Sequence, residues 1–408
     1  MVPRVTRLAQ SAVICVALLG LAAPAAAQEP PSPSDPDGAV RAPGAVAAGG
    51  RLQVAVTGVA LPARVEVRRN GIWRAQGQSI DKDGGSWTHR VGARLGVIRV
   101  RARGADGAVT RSTGVRVRLL QLAAVGDINL GDGPGQRIGL HGPGYPWTSV
   151  GPALREADIA FGNLECAIST RGRAQAKEFV FRGLPSSLVA MRARAGMDVL
   201  NLANNHAGDY GDGALLDTLR HIRRNGMVPV GAGATERAAF EPRVVERLGL
   251  RVAFVGFSAI LPFEFRALGR NPGTAWAFPA RVRSAVRRAA RRADVVIAAF
   301  HWGTERALTE HAGQRALAQV ALRAGATAVI GAHPHVLQPI RRPLGRLVAY
   351  SLGNFVFSAA SPGTQRTGIL HVGLARRRVH RVRLRRATIV ASRPMLDRPV
   401  SRLRRPRP

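Results

Sequence analysis

Five short clusters hold the side chains able to do chemistry: Gly126-Asp127, Gly162-Asn163-Leu164-Glu165, Asn204-Asn205-His206, His301-Trp302-Gly303-Thr304-Glu305 and His333-Pro334-His335. Pooled, they offer carboxylate oxygens, amide oxygens and imidazole nitrogens. That mixture suits a borderline divalent ion such as zinc, manganese or iron. Calcium, which takes oxygen ligands alone, matches it poorly. Taken singly, most of the clusters also have a plain structural use. A Gly-Asp closes many turns, Asn204-Asn205 can cap a helix or sit in a left-handed turn, and one histidine near a strand end is commonly a satisfied polar group. His333 and His335, held two apart by a rigid proline, have no such use. Five clusters in series point to a metal site.

The elements that must position these clusters are readable from the flanking residues. LQLAAVGDI, ADIAFGNLE, MDVLNLANNH, RVAFVGF, DVVIAAFHWG, ATAVIGAHPH and RLVAYSLGNFVF are short apolar runs, and nearly all end in a polar cluster. Helical stretches alternate with them, the best at 185–195, 213–225, 281–292 and 312–324. In one of these, Leu215, Leu216, Leu219 and Ile222 form an apolar face at helical spacing. Strand–helix alternation with near-continuous apolar strands predicts a layered α/β domain whose central strands are buried on both faces. Loops at the carboxyl ends of such strands converge on one crevice, which brings the five clusters together. The stretch 281–292 carries six arginines, and its alanines and valines at helical spacing fit an amphipathic helix packed on a sheet. His141, His221, His311, His371 and His380 lie outside the clusters and read as structural.

The 408 residues divide further. Arg4 and Arg7, an apolar stretch from Leu8 to Ala23, and Ala25-Ala26-Ala27 have the form of a signal peptide over 1–27. An uncleaved membrane anchor is the alternative, although the stretch is shorter than the ~20 residues of a comfortable span. A proline-rich linker is expected over 28–45 and a small β-sandwich, immunoglobulin-like or fibronectin-like, over 46–119, where Asn70-Gly71, Asp83-Gly84-Gly85 and Asp106-Gly107 supply hairpin turns. The α/β domain then covers 120–390, and 391–408 reads as a basic, disordered tail. Of the two cysteines, Cys15 lies in the leader and Cys166 in the α/β domain, which excludes a four-cysteine zinc site and a disulfide scaffold. Net charge is +35, and only Lys82 and Lys177 among the 60 basic residues are lysines. Such a chain is drawn to polyanions; export moves the expected partner from nucleic acid to the cell envelope.

Read in order, VGDINLG, ADIAFGNLECAI, VLNLANNHAGDYG, AFHWGTE, GAHPHVLQPI and YSLGNFVF resemble the bacterial capsule-synthesis CapA family. That family is associated with poly-γ-glutamate capsules, and its fold is similar to that of calcineurin-like metallophosphoesterases, a layered β-sandwich core with flanking helices. The resemblance runs from about Leu120 to Phe357 and leaves out the β-sandwich, linker and tail. It implies a centre of one or two divalent ions (manganese, zinc or iron). Asp127 and His335 would ligate the first, with Glu165 nearest the bridging position; Asn205, His301 and His333 would hold the second. His206 would donate a proton to a leaving oxygen, oriented by Asp209, with Asn163, Glu305 and Asn354 at the rim. Two positions depart from the pattern: Asn129 stands where metallophosphoesterases usually have the histidine of Asp-x-His, and Ala332 where a second histidine often precedes His333.

Three functions follow as expectations. The first is an exported protein acting in synthesis or export of an anionic polymer of poly-γ-glutamate type, alongside membrane polymer-synthase components. The second is a metal-dependent hydrolase of phosphate esters or envelope amides, not tied to capsule. The third is a non-catalytic binder of wall polyanion, which the full set of histidines argues against as the whole role.

Overall fold

The computed structural model describes residues 38–397. The expected signal peptide, most of the expected linker, and residues 398–408 of the expected tail lie outside them. Among the described residues no helix is long and apolar enough to cross a membrane.

The N-terminal unit is all β. Between residues 46 and 119 it contains the strands Arg51–Thr57, Arg64–Arg69, Ile72–Ala75, Ser86–Arg90, Gly96–Arg103 and Thr113–Arg118. With two short strands, Ala39–Arg41 and Ala45–Ala47, they form one sheet of three strands and one of five, which share a core of Leu52, Val54, Val65, Trp87, Val100 and Val115. The unit starts earlier than the expected boundary at Val46. Ala39–Arg41 pairs antiparallel with Arg51–Thr57, and Ala45–Ala47 pairs parallel with Thr113–Arg118, so 39–45 belong to the sheets and not to a linker. Each segment satisfies the backbone groups on one of its sides by adding to the edge of a sheet.

From Leu120 onward the chain builds two mixed sheets. In the first, Val228–Val230, Val199–Asn201, Ile159–Leu164 and Leu120–Ile128 run parallel, followed by antiparallel Arg366–Ala375, Arg378–Val390 and Arg393–Leu396. In the second, Leu250–Ser258, Val295–His301, Ala328–Ala332 and Leu347–Ala349 run parallel, with an antiparallel strand at each edge. Side-chain alternation assigns the layers. Leu120, Leu122 and Ala124 meet Val252, Phe254, Val295 and Ile297 between the sheets. Ala123 and Val125 face Leu188, Leu215 and Leu219 on one outer side, while Val255, Val296 and Ala298 face Val282, Val286 and Ala321 on the other. The order is therefore helix, sheet, sheet, helix.

The helices follow their sequence signals. Gly211–Arg224 buries Leu215, Leu219 and Ile222, and Pro279–Arg292 buries Val282, Ala285, Val286 and Ala289 while its arginines point outward or to carboxylates. His311 caps Ala312–Ala324, its Nδ1 accepting from the Gly313 amide at 3.0 Å. The expected tail also needs correction. Arg393–Leu396 is the last strand of the first sheet, and the Leu396 amide donates to Ser149 Oγ at 3.0 Å.

The two units are docked. Arg118 makes a two-pronged pair with Asp158 (2.7 and 2.5 Å), and buried Asp294 takes Arg90 at 3.0 Å and Arg376 at 3.4 Å. The mid-layer contact between sheets rests on Phe161 and Phe254, stacked at 5.7 Å and both buried. Phe254→Ala is expected to destabilise the chain by about 3–5 kcal/mol, read as a lower midpoint in urea unfolding with an unchanged slope.

Candidate metal centre

The parallel strands of both sheets release their chains at one edge of the sandwich. Registers set the level: Asn163 pairs with Asp127 and with Asn201, Asn354 pairs with Asp127, and His301 pairs with Ser258 and Ala332. Gly126 is required by this convergence. A Cβ there would lie 1.8 Å from the Gly353 carbonyl oxygen, the group that accepts from the Asp127 amide at 2.9 Å.

Asp127 is the hub. Its Oδ1 accepts from Asn163 Nδ2 at 2.8 Å; its Oδ2 accepts from the His333 amide at 3.2 Å and lies 3.4 Å from His335 Nδ1. Asn163 is itself held by Asn201 Nδ2 at 2.8 Å and Asn204 Nδ2 at 3.4 Å. A layer of amides thus fixes the carboxylate before any ion arrives, the arrangement through which neighbouring groups orient metal ligands.

The histidines complete the ring. His301, fully buried, sets Nε2 at 2.7 Å from Asn205 Oδ1 and 3.4 Å from Glu165 Oε1. His333 and His335 both adopt positive φ, 97° and 58°, on either side of Pro334. Such backbone costs on the order of 1–3 kcal/mol per residue and persists where the surroundings demand it. Here it turns both rings inward, 5.7 Å apart, with His335 Nδ1 at 2.8 Å from Asn354 Oδ1.

Beside this ring sits His206, its ring stacked on Phe181 at 4.1 Å. Its Nδ1 donates to Asp209 Oδ2 at 2.6 Å, which leaves Nε2 facing Glu165 Oε1 at 3.9 Å. Asp209 is pinned in turn by the Phe181 amide at 2.7 Å and Lys177 Nζ at 2.5 Å, and the same ammonium donates to the Asn205 carbonyl at 2.6 Å.

Electrostatics distinguish this cluster from an ordinary polar core. Glu165 is completely buried, and neither carboxylate oxygen has a hydrogen-bond partner; His333 Nδ1 is buried and unpartnered too. Burial, followed by the Asp127 charge, pushes the Glu165 carboxyl well above its usual range. Burial drives His301 well below the usual imidazole value and His333 down to about 3, so both rings are neutral and present lone pairs. Burial also lowers His206, against the opposing pull of Asp209. At His335 burial is outweighed by Asp127 and Asn354, and the shift is upward. An unpaired buried carboxylate is costly, whereas neutral imidazoles and carboxylates closing on one point suit a divalent cation. Three ligand groups have donor atoms within 4.8 Å of one another: Glu165 with His301 and His333, Asp127 with Glu165 and His335, and Glu305 with His333 and His335. The residues present fit one or two such ions.

The structure brings Asp127, Glu165, Asn205, His206, Asp209, His301, His333 and His335 together, and Glu305 reaches the cluster from an exposed position. Two expectations change. Asn163 and Asn354, expected at the rim, are buried, because their amides are spent on Asp127 and His335. Three positioning residues were not anticipated: Asn201, Asn204 and Lys177. A signal for the last existed, since Lys177 is one of two lysines against 58 arginines. At the departures, Asn129 turns its Oδ1 to the Gly131 amide at 2.8 Å, and Ala332 accepts from the Trp302 amide at 3.1 Å through its carbonyl.

The chain is similar to several known proteins. It is 31% identical over 258 residues to the PGA biosynthesis protein CapA of Bacillus subtilis, covering 63% of this chain and 68% of that protein. It is 30% identical over 262 residues to the capsule biosynthesis protein CapA of Bacillus anthracis, covering 62% and 64%. A probable polyglutamine synthesis accessory protein of Mycobacterium tuberculosis is 30% identical over 227 residues, or 52% of this chain and 59% of that one. Among solved structures, NAD nucleotidase of Haemophilus influenzae aligns at TM-score 0.41 and 10% identity, covering 67% of this chain and 57% of that one. The profile of the family described as bacterial capsule synthesis protein PGA_cap matches residues 121–359, a stretch that contains every strand end and every residue of the centre. The chain therefore belongs to the bacterial capsule synthesis protein PGA_cap family.

Proposed function

We propose that this chain is an exported accessory protein in the production of an anionic envelope polymer of poly-γ-glutamate type, carrying a hydrolytic centre of metallophosphoesterase descent. The observation that carries the reading is Glu165, buried and unpartnered among neutral imidazoles, a carboxylate whose charge a bound cation would compensate. Family membership and the relatives named for PGA and capsule biosynthesis support the polymer reading. The leader expected over 1–27 and the excess of +35 agree with an envelope location and a polyanion partner. In this reading the N-terminal two-sheet unit is an immunoglobulin-like module, and membrane polymer-synthase components are partners.

Asp127, Glu165, Asn205, His301, His333 and His335 would hold the metal. When bound, a divalent ion withdraws charge from a substrate oxygen and acidifies water in its coordination sphere. The chain's own contribution lies in proton placement. Asp209 holds the His206 Nδ1 proton, so Nε2 is the atom left to face a departing oxygen, and it would deliver a proton from the doubly protonated ring, returning to the neutral Nδ1–H form. Lys177 and the Phe181 amide hold Asp209 in place, while the Phe181 ring covers one face of the imidazole.

Two outcomes are expected. Protein expressed in metal-replete medium holds between one and two equivalents of a transition metal by elemental analysis. After stripping, adding metal at about 100 times its Kd stabilises the parent by about 2.7 kcal/mol, a rise in Tm that Glu165→Ala abolishes; a parent that holds no metal ends the reading of the centre. With the metal bound, His206→Ala lowers turnover of an aryl phosphodiester by about 10²–10⁴-fold at unchanged metal content. A variant as fast as its parent removes His206 as the proton donor, and a parent inert with each metal supplied assigns the centre to binding and not to hydrolysis.

A further inference from the structure

The five-stranded sheet of the N-terminal unit carries an outer face that neither its own core nor the metal centre uses. Val65, Val67, Val100 and Ala102 point into the core, so the alternate residues of the two central strands point out. Three successive cross-strand rungs result: Arg68 opposite Arg99, Glu66 opposite Arg101, and Arg64 opposite Arg103. The middle rung is satisfied. Glu66 accepts from Arg101 Nε at 2.7 Å and from Arg103 Nε at 2.8 Å, and the Arg101 guanidinium lies 4.2 Å from the Trp73 ring centroid. Among the described residues, Arg64, Arg68 and Arg99 have no carboxylate partner, and Arg116 on the neighbouring strand is exposed and likewise unpaired.

Like charges set directly opposite one another in a sheet are destabilising. Arg103 is shared with Glu66, so the charge left without a carboxylate is Arg64 on one side of the Glu66 rung and Arg68 with Arg99 on the other, and an added anion would relieve it. Glu66 shows which anion the geometry takes, a carboxylate gripped by two guanidiniums. The Arg68–Arg99 and Arg64–Arg103 rungs lie four residues apart along the strands, about 13 Å, the span of two repeats of a chain with one carboxylate every ~6 Å. A γ-linked glutamyl chain presents one free carboxylate per repeat, at a spacing of ~6 Å by bond lengths.

We infer that this face is a docking track for an extended polycarboxylate chain, which lies along the strands with its carboxylates at the Arg68–Arg99 and Arg64–Arg103 rungs. The inference rests on the polymer named under the proposed function and places its capture on the unit outside the family match, away from the metal centre.

The test uses the full chain and fluorescently labelled poly-γ-glutamate at fixed ionic strength. One variant combines Arg64→Gln, Arg68→Gln and Arg99→Gln; a control removes the same charge from the exposed side of the helix Pro279–Arg292, with Arg283→Gln, Arg287→Gln and Arg291→Gln. Circular dichroism and Tm verify that both fold. The face variant is expected to weaken Kd by about tenfold or more and to flatten its salt dependence, with the control within about twofold of the parent. Equal losses in both variants overturn the inference, because net charge and not the face then holds the polymer, while the polymer reading survives. A parent that does not bind poly-γ-glutamate removes both. Polyphosphate displacing the labelled polymer from the face more effectively than unlabelled poly-γ-glutamate, at equal charge concentration, assigns the track to phosphate and overturns the carboxylate reading.

Discussion

One constraint organises the α/β domain: two buried carboxylates, Asp127 and Glu165, sit at adjacent strand ends with three imidazoles closed around them. Asp127 is stabilised by an amide network, whereas Glu165 has no hydrogen-bond partner at all. Folding without an ion leaves that group either protonated or uncompensated, as its upward-shifted pKa records. The geometry around it is expensive as well, with His333 and His335 both at positive φ. A fold carries such costs where the surrounding packing over-determines the backbone. That packing is the double sheet, whose three apolar clusters bury nearly every residue of the parallel strands. Cation affinity and fold stability are therefore coupled, since an ion that binds only the native state adds its binding energy to folding.

Much of this was legible in the sequence because parallel strands covered on both faces read as unbroken apolar runs. LQLAAVGDI and DVVIAAFHWG end at Asp127 and His301, and convergence of strand ends put those residues in one crevice. What the pattern could not supply was which polar residues face the ion and which hold the ligands. Asn163 and Asn354 look like rim residues in one dimension and turn out to be spent on Asp127 and His335. Boundaries failed for a related reason. Ala39–Arg41 and Arg393–Leu396 are short and sit among prolines, glycines and arginines, so their own composition reads as linker and tail. Each becomes a strand only by pairing with a long neighbour, a tertiary effect that local propensity does not encode.

Lys177 shows how composition can mark a site. In an arginine-dominated chain the background substitutes one cation for the other wherever either serves. At position 177 the ammonium reaches two acceptors a short distance apart, the Asp209 carboxylate and the Asn205 carbonyl. A compact charge with rotatable donors fits that pocket, whereas a planar fork is suited to a bidentate partner. Arginine prevails where bidentate geometry is on offer, at Asp158, Asp217 and the paired grip on Glu66.

The same division explains how a chain of +35 can hold a centre built to attract cations. Lys177 is the cation tied into the acidic cluster, and it is neutralised by Asp209 before its charge reaches the ligand ring. Unpaired arginines also lie on surfaces outside the ligand ring, among them the outer face of the N-terminal sheet and the solvent side of Pro279–Arg292. Exposed charges separated by more than about 8–10 Å are screened at physiological salt. Positive potential for gathering an anionic polymer and negative ligands for holding a metal can therefore coexist in one molecule, because burial gives the ligands a low-dielectric setting while solvent screens the arginines. The fold achieves the separation by spending its few carboxylates at strand ends and docking contacts and leaving its sheet and helix exteriors basic.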